Sequence, residues 1–259
     1  MTASLLTPSF RVDGQIALVT GAGSGIGAAI SSALAAAGAR VHMLSRNGAQ
    51  LEATVAALRA EGADVHAHAC NVTDTTAVRR LVEELGTLDI VVNNAGTNIP
   101  EPFLDVTDEH LDSMCELNVR ACFVVSQAAV RSMLADPQRA LKGGAVINVS
   151  SQMGHVGSPN RTVYCMNKHA IEGLTKAMAV ELAATGVRVN SIGPTFVDTP
   201  LIRRIVDTPE KHDFLVSKIP MGRMATIDDI AAAALYLASP AAAMITGHCL
   251  LVDGGWTAQ

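Results

Sequence analysis

The stretch IALVTGAGSGIG, residues 16–27, joins a short apolar run to a glycine-rich turn that leads into an Ala-rich helical segment. Glycines let the backbone turn sharply and approach a pyrophosphate, whose charge then meets the N-terminus of the helix. The template G-x-G-x-x-G does not fit, because its third glycine would fall on Ile26. The spacing that fits is Gly21-x-x-x-Gly25-x-Gly27, preceded by Thr20. We therefore expect a nucleotide-binding turn here rather than a purely structural one.

The rest of the chain repeats this alternation of short apolar runs and longer helical segments. Predicted strands cover Ile16–Thr20, Arg40–Ser45, Asp64–Cys70, Leu88–Asn93, Ala145–Ser150, Val187–Ile192 and His248–Val252. Predicted helices cover Ile26–Ala37, Ala49–Glu61, Asp74–Leu85, Glu109–Leu134 and Val163–Ala184. The strands are continuously apolar, as in a sheet covered on both faces. The pattern predicts an α/β Rossmann fold, a doubly wound parallel sheet of about seven strands with helices on both faces.

No repeat, linker or break in composition divides the chain. We expect one domain over residues 1–259, with a glycine-rich cofactor half at 14–140 and a catalytic and substrate half at 141–259. The proline-containing segment Thr199–Met224 is interpreted as a mobile flap beside a binding site. A solvated helical insertion is the alternative.

Bulk composition excludes several classes of function. A net charge of −5 gives no support for nucleic-acid binding. The five cysteines show no C-x-x-C spacing, so no metal site and no disulfide framework is indicated and a reducing cytoplasm is expected. Residues Met1–Arg11 lack the features of a signal peptide. Ile230–Val252 carries no charged residue, but Ser239-Pro240 interrupts it, so we expect a buried helix and strand rather than a membrane span.

The end of the second strand bears on the choice of nicotinamide cofactor. A carboxylate there would hold the free ribose hydroxyl of NAD. No Asp or Glu occurs between Gly21 and Gln50, and the strand ends in Ser45-Arg46. Arg46 could form charge-assisted bonds to a 2′-phosphate, with Ser45 donating another. We favour NADP(H), and NAD(H) stays possible because Ser24 puts no basic residue in the glycine turn.

Tyr164 and Lys168 stand four residues apart at the start of a predicted helix, a spacing that places both side chains on one face. An ammonium group beside a phenol favours the phenolate, so the tyrosine can exchange a proton with a substrate hydroxyl. Ser151 lies just beyond a predicted strand, at the sheet edge where ligands bind. A hydroxyl there can hold the substrate oxygen beside Tyr164.

Together these motifs resemble those of the short-chain dehydrogenase/reductase family, in order and spacing and over nearly the whole chain. The matching residues are Thr20-Gly21-x-x-x-Gly25-x-Gly27, Asn93-Asn94-Ala95-Gly96, Asn118, Ser151, Tyr164-x-x-x-Lys168, and Pro194 followed by Thr199. The resemblance implies hydride transfer between a nicotinamide and a secondary alcohol or ketone. It also implies a homotetramer or homodimer packed partly through the Val163–Ala184 helix.

The resemblance assigns roles to individual residues. Tyr164 is the general acid/base, Ser151 orients the substrate oxygen, and Lys168 supports Tyr164 and binds the nicotinamide ribose. Asn118 is expected to hold a water that relays protons from Lys168 to solvent. Together with Tyr164 and Lys168, the expected cofactor contacts are Thr20, Gly21, Ser24, Gly25, Ile26, Gly27, Ser45, Arg46, Asn71, Val72, Asn94, Ala95, Gly96, Pro194, Val197 and Thr199.

Two positions depart from the family pattern. Asn71 stands where the family usually has Asp beside the adenine, and Pro194-Thr195 replaces the usual Pro-Gly. Asn can still bond an amine, whereas Thr195 adds a side chain near the nicotinamide. Neither position belongs to the acid/base machinery.

The substrate is a small molecule whose identity the sequence leaves open. Candidate substrate contacts are Thr97, Asn98, Gln152, His155, Asn160 and Phe196. Their polarity favours a sugar, polyol or hydroxy acid, with a small-ketone or 3-oxoacyl reductase unresolved. Two other classes of function stay open. One is an epimerase or dehydratase of the extended family, which is disfavoured because only Asp253–Gln259 follow the last predicted strand. The other is a non-catalytic nucleotide sensor.

Overall fold

A computed structural model describes residues 9–199, 202–203, 206 and 208–259 of the chain. Seven parallel strands form one sheet in the order β3-β2-β1-β4-β5-β6-β7. The strands are β1 (Ile16–Thr20), β2 (Arg40–Ser45), β3 (Val65–Ala69), β4 (Ile90–Asn93), β5 (Gly144–Val149), β6 (Val187–Pro194) and β7 (Cys249–Val252). The predicted doubly wound parallel sheet is confirmed.

Helices lie between the strands and cover both faces of the sheet. They are α1 (Gly25–Ala36), α2 (Gly48–Ala60), α3 (Thr75–Leu85), α4 (Asp108–Cys115), α5 (Ala121–Leu134), α6 (Arg139–Lys142), α7 (Thr162–Leu182), α8 (Pro209–Val216) and α9 (Ile227–Ala238). A π-helical turn, Glu116–Arg120, joins α4 to α5, and a 3₁₀ turn, Gln152–Gly154, follows β5.

Two apolar clusters, one on each face of the sheet, explain why the strand sequences are continuously hydrophobic. In β1, Ala17 and Val19 pack into a cluster with α1, α2 and α9, while Leu18 packs into a second cluster with α3, α5 and α7. Successive strand residues point to opposite faces, so a sheet covered on both sides needs apolar residues at every position. The capping of α9 by Thr226 and Asp229 fixes where that covering helix begins.

The strand order reverses beside β1, which pairs with β2 on one side and with β4 on the other. At such a switch point the segments that leave the two strands separate, and a crevice opens at their carboxyl ends. The fold therefore brings the glycine turn after β1 and the segment after β4 to one crevice.

The structure differs from the predicted elements in a few places. The segment Glu109–Leu134 is α4, the π turn and α5 rather than one regular helix, because a π turn inserts a residue that hydrophobic periodicity does not detect. The short helix α6 was not predicted. Strand ends shift by one or two residues.

The predicted flap, Thr199–Met224, contains the exposed helix α8. Its Pro200, Leu201, Arg204, Ile205 and Asp207 lie outside the described residues. At the segment's ends, Thr199 lines the crevice, and backbone hydrogen bonds join Asp198 and Phe196 to Ala225. Flap mobility stays a prediction.

The charge-free segment Ile230–Val252 is divided between α9, a 3₁₀ turn at Pro240–Ala242, and β7. In the part of the chain that the structure describes, no helix has the length and apolar character needed to cross a bilayer. The expected helix is largely buried, whereas the expected strand β7 is present but only half-buried, with Leu251 exposed, because it lies at the edge of the sheet.

Candidate active site

The glycine turn after β1 packs directly on the segment after β4. Gly21 and Gly25 have φ angles of +64° and +55°, which L side chains rarely adopt. A Cβ on Gly21 would lie 2.9 Å from the Ala95 Cα, and a Cβ on Gly27 would overlap the carbonyl oxygen of Gly21. The predicted glycines therefore have steric reasons to be glycine. The turn leaves α1 with its N-terminus open to a phosphate group.

Thr20 and Asn94 hold the ends of β1 and β4 together, and we call this pair the β1–β4 junction. The Thr20 Oγ1 accepts the backbone N–H groups of Asn94 at 3.0 Å and Ala95 at 3.1 Å. In return the Asn94 side-chain amide donates to the carbonyls of Thr20 and Gly21 at 3.0 and 3.1 Å. Thr20 is 2% exposed, so these bonds form away from water, where an unmade bond would be costly.

The residues expected at the adenosine end surround the ends of β2 and β3. The Ser45 Oγ lies 3.0 Å from the place a Cβ on Gly23 would take, so this hydroxyl borders the glycine turn. Arg46 is exposed, and it forms no hydrogen bond or ion pair with any other described residue. The exposed Asn71 accepts the Thr73 N–H at 3.2 Å, and the Val72 side chain is buried in the core. The expected contact of Arg46 with a 2′-phosphate stays a prediction.

Tyr164, Lys168 and Ser151 meet in one cleft, as predicted. Tyr164 and Lys168 lie in the first turns of α7, and the Lys168 Nζ is 5.4 Å from the centre of the Tyr164 ring. The Lys168 Nζ also donates to the Val149 carbonyl at 2.8 Å, which fixes the ammonium at the end of β5. The Ser151 Oγ accepts the Met153 N–H at 3.1 Å and keeps its own proton to donate. Tyr164 and Ser151 thus present two hydroxyl donors to the cleft beside the fixed ammonium group of Lys168.

Asn118 lies in the π-helical turn and is 3% exposed. Its Oδ1 accepts the Thr97 N–H at 2.8 Å, and its Nδ2 donates to the Thr97 carbonyl at 2.9 Å. The amide therefore holds the segment after β4 against the helix, and it is not one of the residues that line the cleft. The water relay expected of Asn118 stays a prediction.

The cleft has a volume of about 390 Å³, within the range of small-molecule sites. Among the described residues that line it, Lys168 alone carries a full charge. Predicted residues on its wall are Gly21, Ser24, Gly25, Ile26, Asn94, Ala95, Gly96, Thr97, Asn98, Ser151, Gln152, Tyr164, Lys168, Pro194, Phe196, Val197 and Thr199. Wall residues that the sequence did not single out are Val149, Ser150, Met153 and Ile202. No sequence signal identifies Ile202 as a wall residue. Met153 could have been proposed because it lies only two residues after Ser151.

Two predicted substrate contacts do not line the cleft. His155 turns toward Glu172, with 3.8 Å between its Nε2 and the Glu172 Oε1. Asn160 has a φ of +57°, and its carbonyl accepts the Glu101 N–H at 3.1 Å. The 3₁₀ turn after Ser151 places Gln152 on the cleft wall and directs His155 away from the cleft. Their closeness in sequence to Ser151 does not show this difference.

Four polar atoms of residues that line the cleft have no hydrogen-bond partner among the described residues. They are the Asn98 Oδ1, the Ser150 Oγ, the Gln152 Oε1 and the Thr195 Oγ1. Gln152 is 1% exposed and Thr195 is 8% exposed. Buried polar groups in folded proteins are nearly always hydrogen-bonded, so these atoms need a partner that the described protein residues do not supply, either ordered water or a polar ligand. The added side chain at Thr195 does reach the cleft, as expected.

Comparison with known proteins agrees with this geometry. A family model described as enoyl-(acyl carrier protein) reductase matches residues 21–257. A D-threitol dehydrogenase of Mycolicibacterium smegmatis is 42% identical, over 96% of this chain and 95% of that protein. An L-xylulose reductase of Bos taurus is 40% identical, over 96% of this chain and 98% of that protein. A gluconate 5-dehydrogenase of Burkholderia cenocepacia, solved with NADP and tartrate, superposes with a TM-score of 0.90 at 33% identity, covering 96% and 98% of the two chains.

We predict that Gly27→Ala weakens binding of a nicotinamide dinucleotide by about tenfold or more, because the new Cβ forces the glycine turn off Asn94. The measurement is a fluorescence titration with NADPH, with urea unfolding in parallel. Gly157→Ala is the control, since its φ is not positive and a Cβ there would meet no atom within 4 Å. Unchanged NADPH affinity in Gly27→Ala would show that the turn does not hold the dinucleotide.

Proposed function

Because the chain belongs to the short-chain dehydrogenase/reductase family, we propose that this NAD(P)-dependent oxidoreductase interconverts a four- or five-carbon polyol and its ketose, with NADP(H) as the preferred cofactor. The observation that carries the substrate class is the set of unpaired polar atoms on the cleft wall.

The nicotinamide supplies the hydride in the direction of reduction and accepts it in oxidation. In reduction, Tyr164 donates its phenolic proton to the carbonyl oxygen, and in oxidation its phenolate accepts the alcohol proton. Lys168 stabilises that phenolate by its positive charge, 5.4 Å from the ring centre. Ser151 donates a hydrogen bond to the same substrate oxygen, since its own acceptor contact leaves its proton free.

A polyol or ketose satisfies the cleft better than an acyl chain. Asn98, Gln152 and Thr195 present oxygen atoms that lack partners within the described chain. Substrate hydroxyls both donate and accept, so they pair with the amides in either orientation. An acyl chain would leave these buried groups unpaired, at a cost of about 1–3 kcal/mol each. This disfavours the 3-oxoacyl and small-ketone alternatives, and relatives named for threitol and xylulose support the same substrate class.

Arg46 supports the preference for NADP(H). No carboxylate follows β2, and the exposed guanidinium has no partner among the described residues that would compete for it. Ser45 borders the same turn through its hydroxyl. An unpaired arginine beside a hydroxyl suits a 2′-phosphate, and the Burkholderia cenocepacia structure was solved with NADP.

We also propose a homodimer or homotetramer that packs through α7. This helix leaves Met166 at 50% and Val180 at 83% exposed. Exposed apolar side chains on a helix favour a partner surface over water. On α5, Phe123 is another large apolar side chain that stays exposed, at 48%.

A reducing compartment such as the cytoplasm fits the cysteines. All five are free thiols in the structure. Burial raises the pKa of the Cys122 thiol to about 12, so this thiol is protected from oxidation in the folded protein.

Tyr164→Phe should lower turnover by about 10²- to 10⁴-fold while leaving NADPH affinity within a few-fold, because the ring stays and only the proton donor is lost. The measurement is steady-state NADPH oxidation beside a binding titration. Tyr236→Phe is the matched control, since this second tyrosine packs against Phe10 and does not line the cleft. Full turnover in Tyr164→Phe would refute the catalytic role and favour a different proton donor.

For cofactor choice, Arg46→Ala is expected to weaken NADPH binding by about 10- to 100-fold and to leave NADH binding unchanged, since only NADPH carries the 2′-phosphate. Fluorescence titrations with both cofactors measure this. Arg80→Ala, an exposed arginine on α3, is the control for loss of one positive charge. Equal loss for both cofactors, or none for either, would contradict the proposed phosphate contact.

The substrate class is tested by Gln152→Leu, which removes one unpaired amide from the cleft. We expect kcat/KM for D-erythrulose or L-xylulose to fall about 10-fold or more, and kcat/KM for cyclohexanone to hold or rise. Gln127→Leu on α5 is the control, because that amide pairs with Arg79 outside the cleft. Equal losses on both substrates would mean that Gln152 supports the fold rather than substrate hydroxyls.

A further inference from the structure

Three potential metal ligands converge behind Ser151, outside the cleft wall. The His155 Nε2 or Nδ1, a Glu172 carboxylate oxygen and the Cys249 Sγ all lie within 4.8 Å of one another. His155 follows the 3₁₀ turn after β5, Glu172 lies on α7 one turn beyond Lys168, and Cys249 opens β7. Their positions, 155, 172 and 249, form no recognisable sequence motif, which is why the sequence indicated no metal site.

Glu172 is the central group of this cluster and is 5% exposed. Its Oε2 accepts the Ser191 hydroxyl at 2.8 Å. Its Oε1 is buried, has no hydrogen-bond partner among the described residues, and faces the His155 Nε2 at 3.8 Å. That separation is too long for a hydrogen bond. A buried carboxylate oxygen without a partner is costly, and a cation between Glu172 and His155 would remove the cost.

Cys249 completes the cluster, with its Sγ within 4.8 Å of the ligand atoms of His155 and Glu172. Gly193 on β6 lies close to both Cys249 and Ser151. A Cβ added at Gly193 would be 3.1 Å from the Cys249 Sγ and 3.5 Å from the Ser151 carbonyl carbon, so the thiol packs against β6 close to Ser151. Burial, with the negative charge of Glu172 as a smaller cause, raises the pKa of this thiol to about 12. Without a cation the thiol keeps its proton, and metal binding would release that proton.

We propose that His155, Glu172 and Cys249 bind one divalent zinc ion per chain. Nitrogen, oxygen and thiolate sulfur are the ligand set that zinc takes, whereas magnesium and calcium require oxygen ligands throughout. Zinc bond lengths of about 2.0–2.3 Å place tetrahedral ligand atoms about 3.3–3.8 Å apart. The ligand atoms, which lie up to 4.8 Å apart, therefore need to move closer by about 1 Å to bind zinc. The His155 side chain can make this movement because it is 31% exposed. Water completes the coordination.

The ion would act as a brace rather than as a catalyst. It ties the turn that carries Ser151 to α7, which carries Tyr164 and Lys168, and ties both to β7. Because the ligands lie outside the cleft wall, the ion does not contact the reacting atoms. The three ligands are positioning residues, and the site is independent of which substrate or cofactor the cleft takes.

The test is a metal titration of the full-length protein after treatment with a chelator. Co²⁺ serves as the spectroscopic probe, and Zn²⁺ competes for it. We expect one equivalent of Co²⁺ per chain with a thiolate-to-cobalt charge-transfer band in the near ultraviolet, lost when Zn²⁺ is added. Zn²⁺ should also raise the midpoint of thermal unfolding, because it binds the folded state.

Variants separate this site from adventitious binding. Cys249→Ser should abolish the charge-transfer band, and Glu172→Gln should weaken Zn²⁺ binding by about tenfold or more. His155→Gln covers the case in which either buried variant fails to fold, because His155 lies at the surface. Cys70→Ser and His169→Gln are the matched controls and should bind as the parent protein does.

Absence of stoichiometric binding at micromolar Co²⁺ or Zn²⁺ would overturn the proposal. Binding that persists unchanged in Cys249→Ser and His155→Gln would overturn it as well, since the ion would then lie elsewhere. Neither result depends on activity, so neither bears on the roles proposed for Tyr164 or Gln152.

Discussion

The hydroxyl of Thr20 and the amide of Asn94 form the junction on which the site depends. Parallel strands β1 and β4 end side by side where the strand order reverses, and these two side chains satisfy five backbone groups at that edge. The glycine turn rests on this junction so closely that no side chain fits at Gly27. Because the glycine turn and the segment after β4 both line the cleft, one buried contact sets the position of both.

In the proposed function, cofactor and substrate are held by different kinds of contact. The cofactor half depends on backbone shape, with glycine at φ values that other residues avoid, and on one exposed arginine. The substrate half depends on side chains: a phenol, a hydroxyl and an ammonium for the chemistry, and unpaired amides for recognition. This division explains how one fold can keep its reaction while its substrate changes with a few residues beside Ser151.

Most of the fold and the placement of Tyr164 beside Lys168 in one cleft could be predicted from the sequence, because both leave local signals. Continuous apolar strands between helical segments indicate a covered parallel sheet, and Tyr164 with Lys168 share a helix face whatever surrounds them. The π turn around Asn118, the inward position of Ile202 and the turning of His155 toward Glu172 leave no such signal. Each depends on contacts between segments far apart in the chain. For the same reason the cluster at His155, Glu172 and Cys249 was visible only in three dimensions.

The central claim is that the cleft selects a polyhydroxylated substrate for a tyrosine-dependent hydride transfer. The most direct measurement is kcat/KM of the unaltered protein with NADPH for a four- or five-carbon ketose, beside a 3-oxoacyl thioester and an apolar ketone of similar size. The account predicts that the ketose is preferred by about tenfold or more, because only its hydroxyls pair with the buried amides. Equal or faster reduction of the thioester or the apolar ketone would contradict it.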